Sequence, residues 1–465
     1  MNKAEIQRLV AAQRAAFGEG RTLSIESRRA SLERLKASLL KHEGAMFEAV
    51  RKDMGRAEVE TYFMEINMNL EELDFALKHL DAWASPRSVK TPTLFFAADS
   101  ELYPEPYGVT LIIAAWNFPF LQLFSPLIGA LGAGNTAVLK PAGDSPHCAA
   151  VAAQIVGEAF TPDIVTVVEG SSELTTMLLE EKLDYIFFTG SPRVGRIIQS
   201  AAAKHLTPVT LELGGKSPAI IDESADIDQA AKRVMWSKLF NAGQICVTVD
   251  HAYVHESVHE AFIESCKTWV AEFYGADPSQ SSDYGFIINA RNFERAVSYL
   301  DAGARLRHGG RFDAERRYIE PTIFDQVDES SRLMKDELFA PILPVLSFRS
   351  LDELLALQRS KDKPLALYFF SKDSDRQRQV IRGTSSGGVT INDCMSHGGT
   401  LFLPFGGVGN SGMGSYHGAK SFETFSHMKA VMTAPTARIL DLPLKYPPYA
   451  GKLATVKRLE KFHII

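Results

Sequence analysis

Between Val109 and Phe188, short apolar β-rich runs alternate with helix-length segments, and this alternation constrains the fold more than any other feature. Val109–Ala115 is an unbroken apolar run apart from Thr110, as expected of a strand covered on both faces of a parallel sheet. Leu123–Leu131 reads as a helix, Thr136–Leu139 as a second strand, Ala149–Ala159 as a helix and Ile164–Val168 as a third strand. Glu173–Glu181 then reads as a helix and Tyr185–Phe188 as a fourth strand. Strands and helices in strict alternation predict a doubly wound α/β sheet, whose ligand is expected beyond the carboxyl ends of the strands.

The flanking chain has a different character. The first ~80 residues read as helices, with apolar positions at helical spacing through Ile25–Ala45 and Tyr62–Leu80. Trp83–Pro104 holds several prolines and threonines, so extended chain is expected there. A second α/β unit begins near Leu213. Its expected strands include Ala219–Ile221, Ala252–Val254, Val345–Ser347 and Ala366–Phe370, and its helices Ile227–Lys238 and Val258–Phe273. The final ~35 residues, around Tyr446-Pro447-Pro448-Tyr449, read as irregular chain.

A chain of 465 residues is too long for one core. A net charge of −6 argues against nucleic acid as a partner, because phosphate binding needs a concentrated basic face. The four cysteines, Cys148, Cys246, Cys266 and Cys394, form no CxxC pair, so neither a disulfide framework nor a zinc knuckle is expected. No secretory segment opens the chain, which points to the cytoplasm. The apolar runs are shorter than the ~20 residues a bilayer span needs, and the terminal Lys461–Ile465 is no membrane anchor.

Several motifs could carry chemistry, each with a plainer alternative. Phe188–Gly195 closes a strand and opens a helix whose free N–H groups could hold a pyrophosphate at Gly190 and Ser191. The same residues also suit an ordinary strand-to-helix turn, and the GxGxxG fingerprint is absent. Asn241–Cys246 places a thiol after a flexible turn, as a nucleophile or as packing. Leu211–Lys216 sets Glu212 between leucines, where apolar surroundings would raise its proton affinity as a base requires. Trp116-Asn117-Phe118-Pro119 ends the first buried strand, and the Asn117 amide is either a turn residue or an oxyanion donor. Asp336–Pro341 and the glycine-rich Leu403–Gly412 complete the set.

Taken together and in this order, the motifs resemble the aldehyde dehydrogenase superfamily, from about Glu58 to Tyr449. Lys363–Tyr368, Gly388–Asp393 and the run Leu403–Met428 are similar to its class 3 branch. The resemblance implies a Rossmann-like NAD(P)-binding domain of residues 1–85 and 107–212, and an α/β catalytic domain of 213–430. It also implies an extended oligomerisation element of 86–106 with 431–465. A start close to the first helix is similar to the dimeric class 3 members, so a homodimer is expected.

The resemblance further assigns roles. Cys246 falls on the nucleophile, Glu212 on the general base and Asn117 on the oxyanion donor. Glu337 and Phe339 fall on residues that hold the nicotinamide ribose and ring, with Trp116 on the same cofactor side. Lys140 falls on the adenosine-ribose lysine, and Gly190, Ser191 and Gly195 on the pyrophosphate-side turn. No metal is required. The implied reaction is NAD- or NADP-dependent oxidation of a hydrophobic aldehyde, aliphatic or aromatic, to the acid through a thioester. Glu212 weighs against a coenzyme A-acylating relative, which has no need to activate water. The trio weighs against a non-catalytic descendant. One departure stands out: Gly143 occupies a position where the family usually has Glu, so the choice between NAD and NADP is open. Ala340 replaces the usual Gly of its motif.

Overall fold

The computed structural model describes residues 1–441 and 443–461; the terminal Phe462–Ile465 considered above lie outside the described residues. The alternation beginning at Val109 builds a six-stranded sheet in the order Gly412–Met413, Val209–Glu212, Tyr185–Thr189, Val109–Ile113, Thr136–Lys140, Val165–Val167. All neighbours run parallel except Gly412–Met413, which is antiparallel to Val209–Glu212. Every residue of the three central strands is buried, because helices cover both faces. Strand order reverses between Val109–Ile113 and Tyr185–Thr189. The two chains leaving that point diverge and open a crevice.

The second unit is a seven-stranded sheet, ordered Arg305–His308, Thr322–Asp325, Ile342–Phe348, His251–His255, Pro218–Ile221, Ala366–Phe370, Gly388–Ile391. It is parallel apart from the edge strand Arg305–His308. A separate antiparallel sheet joins Arg87–Val89, Asp99–Pro106 and Ser426–Thr433. Here the proline- and threonine-rich stretch pairs with chain more than 300 residues away. Among the described residues no helix is long and apolar enough to cross a membrane.

Besides strands that the sequence reading did not name, such as Val209–Glu212 and Thr322–Asp325, the structure departs from it in the helical chain. The stretch Ile25–Ala45 is two helices, Ile25–Lys41 and Glu43–Met54, that meet at His42. Apolar spacing continues across the joint, so periodicity cannot reveal it. Within Tyr62–Leu80 the first residues, Tyr62–Asn67, are π-helical before Met68–Ala84 continues as α-helix. The C-terminal chain is not wholly irregular: Lys452–Lys461 is a helix with no buried residue, so no core face marks it.

The helix Met68–Ala84 carries Glu72, which is 2% exposed. Its carboxyl accepts from the Gly418 N–H (3.1 Å) and the Ser421 hydroxyl (2.9 Å), and also from the Ser125 hydroxyl. It thereby ties the glycine-rich C-terminal loop to the helix Leu121–Ala133. No cation compensates it, and burial pushes its pKa from 4.5 to about 7 against those three hydrogen bonds. The neutral carboxyl therefore favours folding. Its stabilisation is complete below pH 4.5 and is lost as pH rises through about 7. In urea unfolding at pH 5 and pH 8, Glu72→Gln should lose less stability over that interval than wild type, by up to ~3 kcal/mol. Identical losses in the two proteins would show that Glu72 does not titrate there.

Candidate active site

The crevice at the strand-order reversal is a cleft of about 290 Å³. Its walls come from the chain leaving three strands of the first sheet: Ala115, Trp116 and Asn117; Thr189, Gly190 and Ser191; Glu212, Leu213 and Gly214. The second unit contributes Cys246, Asn292, Arg295, Glu337 and Phe339, and Gln122 completes the lining.

Cys246 follows a turn that few sequences can make. Asn241, Ala242 and Gly243 are successively left-handed, with φ of 49°, 52° and 76°. Each non-glycine residue in that region costs roughly 1–2 kcal/mol. At Gly243 a side chain is excluded outright, because a Cβ would lie 2.4 Å from the Ala340 carbonyl oxygen. The turn is held from several sides. Asn241 Nδ2 donates to the Asn117 carbonyl (3.2 Å), and the Asn241 N–H donates to Glu60 (3.2 Å). Gln244 Nε2 donates to the Phe286 carbonyl (3.1 Å), and its Oε1 accepts from the Ile288 N–H (3.0 Å).

Asn117 is oriented by a relay. The Ala115 N–H donates to Gln122 Oε1 (3.0 Å), so the Gln122 amino group is left to donate to Asn117 Oδ1 (3.0 Å). The Asn117 amino group must then point the other way, and it donates to the Gln244 carbonyl (3.1 Å). That bond uses one of its two protons. The Asn117 carbonyl in turn accepts from Arg56 (3.0 Å).

Glu212 ends its strand and is 2% exposed, with both carboxyl oxygens lacking any hydrogen-bond partner. Burial raises its pKa well above the ordinary carboxyl value. Glu337 lies close by; burial first, then the charge of Asp250, raise its pKa to about 8. Its Oε1 is also without a partner. Burial, followed by the charges of Glu337 and Glu212, pushes the Cys246 thiol up to about 12. The backbone N–H groups of Cys246 and Val247 act in the opposite sense. Burial thus raises the proton affinity of the thiol and of both carboxyls together, and a carboxylate with raised proton affinity is the stronger base toward a neighbouring thiol.

The cleft fits a dinucleotide. Ser191 caps the helix Pro192–Ala203 by accepting from the Val194 N–H, and Pro192 occupies its first turn, so a free helix N-terminus faces the opening. Trp116 and Phe339 pack edge to face at 5.5 Å, and the orphaned Glu337 oxygen awaits a donor such as a ribose hydroxyl.

Of the residues singled out from sequence, Cys246, Glu212, Asn117, Trp116, Gly190, Ser191, Glu337 and Phe339 share this one cleft. Two stand outside its lining. Lys140 ends the strand Thr136–Lys140, 3% exposed, and donates to the Pro141 and Gly170 carbonyls at 2.8 Å each. Gly195 is buried in its helix, where a Cβ would lie 2.8 Å from Leu213 Cδ2, so its smallness serves close packing. Sequence reasoning missed Gln122, Asn292 and Arg295. Arg295 donates to the Glu337 carbonyl (3.0 Å) and to the Tyr299 hydroxyl (3.2 Å). It lies on the helix Ala290–Val297, which carries no motif.

The sequence pattern of the aldehyde dehydrogenase family matches residues 1–431, and the chain belongs to that family. It is an NAD(P)-dependent enzyme that oxidises aldehydes. It is similar to the 4,4'-diaponeurosporen-aldehyde dehydrogenase of Staphylococcus aureus, 43% identical over 96% of this chain and 97% of that protein. It is 41% identical to the dimeric NADP-preferring aldehyde dehydrogenase of Canis lupus familiaris, over 97% of this chain and 99% of the relative. Among solved structures, the substrate-bound state of Staphylococcus aureus AldH superposes with a TM-score of 0.95 at 42% identity, covering 98% of this chain and 99% of that one.

Gly214 tests the cofactor side of the cleft. A Cβ there would lie 2.1 Å from Glu337 Oε2, and the flexible carboxyl would swing aside while the backbone stays. Gly214→Ala should therefore raise the dissociation constant for NAD(P)H about tenfold, the loss of one good hydrogen bond, with little change in thermal stability. Unchanged binding in a fluorescence titration would remove Glu337 from cofactor recognition.

Proposed function

We propose that the protein oxidises a hydrophobic aldehyde irreversibly to the carboxylic acid through a thioester on Cys246. The observation that carries this reading is the meeting of the partly buried Cys246 with the orphaned Glu212 and the oriented Asn117 amide in one cleft. The Cys246 thiol attacks the carbonyl carbon and forms a C–S bond, while its proton passes to Glu212. The carbonyl electron pair moves onto oxygen, where the second Asn117 N–H and the Cys246 backbone N–H stabilise it. Glu337, Phe339, Trp116, Gly190 and Ser191 would hold NAD or NADP, which would supply the hydride acceptor. Glu212 gives the thiol's proton up to solvent and then takes a proton from water as the water attacks the thioester. The C–S bond breaks, the acid leaves and Cys246 recovers its proton.

The apolar substrate class is supported by the surroundings of Cys246. It packs in a cluster with Phe118, Phe240, Val247 and Met395, to which Met64, Met68 and Phe405 add partly buried surface. A homodimer built through the Arg87–Val89, Asp99–Pro106 and Ser426–Thr433 sheet is in keeping with the dimeric canine relative. We also take residues 1–85 with 107–212 as the cofactor domain and 213–430 as the catalytic domain.

Rapid mixing with a simple aldehyde tests the mechanism. Cys246→Ala should show neither burst nor steady-state turnover. Glu212→Gln should show a burst of NADH followed by a steady state slowed ~100-fold or more, because deacylation loses its base. A turnover near wild type in Cys246→Ala would exclude the thioester. A burst lost together with the steady state in Glu212→Gln would move the role of Glu212 to thiol activation.

Gly143 leaves the ribose side open to both cofactors. It is exposed, and a side chain there would meet only the Gly170 carbonyl at an ordinary 3.6 Å. The neighbouring Asp144 does not substitute for a carboxylate at 143: it accepts from Asn289 Nδ2 (2.8 Å) and faces Arg291 (3.9 Å). A carboxylate about 4 Å from a 2′-phosphate costs roughly 1–4 kcal/mol. Wild type should use both NAD and NADP, and Gly143→Glu should shift the kcat/KM ratio toward NAD by about tenfold or more. An unchanged ratio would show that position 143 does not read the ribose.

A further inference from the structure

The nucleophile turn depends on a side chain that neither the sequence motifs nor the cleft lining include. Glu60 lies in the short helix Glu58–Thr61, 181 residues before Asn241 in the chain. Its Oε2 accepts the Asn241 N–H at 3.2 Å. That N–H heads the three left-handed residues leading to Cys246. Asn241 is 1% exposed, so without Glu60 its N–H would face no water in compensation. The far side of the Glu60 carboxyl opens on a separate pocket with Trp236, Tyr274 and Asp283, away from the cleft.

We propose that Glu60 is a positioning residue for the nucleophile, fixing the Asn241–Gly243 turn and with it the placement of Cys246 in the cleft. The inference rests on the reading of Cys246 as nucleophile. The geometry is directional. The Asn241 side chain is already spent on the Asn117 and Gln244 carbonyls, so the turn has a hold on the oxyanion side and needs one on the opposite side. Glu60 supplies it from an element that is itself fixed. Its neighbour Arg56 is fully buried against Glu65 and also donates to the Asn117 carbonyl. One short segment therefore sets the relative positions of Asn117 and the turn. If the turn relaxes, the Cys246 and Val247 N–H groups leave the sulfur, and its anion loses the donors that favour it.

Alkylation of Cys246 by iodoacetamide tests this in the full chain, without substrate or cofactor, followed by mass spectrometry of the Cys246 peptide. Glu60→Gln keeps a carbonyl acceptor and should react within about threefold of wild type. Glu60→Leu fills the same space without an acceptor and should react about tenfold more slowly, with kcat falling in parallel and KM for the cofactor unchanged. A wild-type alkylation rate in folded Glu60→Leu overturns the proposal. Where Glu60→Leu fails to fold, Glu60→Asp, whose carboxyl stops one methylene short of Asn241, takes its place, and a wild-type rate there overturns it equally. An active Cys246→Ala protein would remove the catalytic reading and leave this measurement of the turn intact.

Discussion

The buried ion pair of Arg56 and Glu65 is the constraint from which the site is built. Both side chains are fully enclosed. Arg56 spends a second donor on the Asn117 carbonyl, and Glu65 Oε2 accepts the Phe120 and Leu121 N–H groups at 2.8 and 2.9 Å. One pair thus fixes both the loop that carries Asn117 and the start of the helix Leu121–Ala133. A pair of this kind adds little to stability over an apolar replacement, but losing one partner leaves an uncompensated charge worth roughly 3–5 kcal/mol. Its value here is geometric, since it holds Asn117 without covering the Asn117 amide.

The same N-terminal segment repeats the device. Glu60 reaches the nucleophile turn, Glu65 the Phe118–Leu121 bend and Glu72 the C-terminal loop. Between Glu60 and Glu72 the helix widens into the π turn Tyr62–Asn67. Such turns are rare and frequent near functional sites. Three acids along one segment thereby address three loops, and each acid is raised in pKa by burial. The cleft itself keeps Glu212 and Glu337 without partners on their free oxygens, which is the reverse arrangement.

The apolar strands named from the sequence were legible because each is a local pattern, whereas Val209–Glu212, Arg305–His308, Thr322–Asp325, Gly388–Ile391 and Gly412–Met413 were not read as strands. Val109–Ile113 and Ala366–Phe370 were recognisable as apolar runs of the right length, and their neighbours in space follow from the handedness of βαβ units. Cys246, Glu212 and Asn117 were legible only through the order of motifs, since each alone suits packing or a turn. Gln122 and Arg295 had no signal at all. A glutamine on an apolar helix and an arginine on a polar one look ordinary until the chains they serve are brought beside them. The exposed helix Lys452–Lys461 was missed for the opposite reason, having no buried face to impose a period.

By itself the sequence determined the alternating sheet and the order of motifs that marks the family. These depend on contacts within a few residues, which composition and spacing record directly. Only the tertiary structure decided that Arg56, Glu65 and Glu72 are buried, that Glu60 is partly so, and that Lys140 and Gly195 stand apart from the cleft. The physical reason is the distance along the chain of the groups concerned: Glu60 meets Asn241 across 181 residues and Glu72 meets Gly418 across 346. Burial of a charge is tolerated only where the right donor arrives, and which donor arrives is a property of the packed fold.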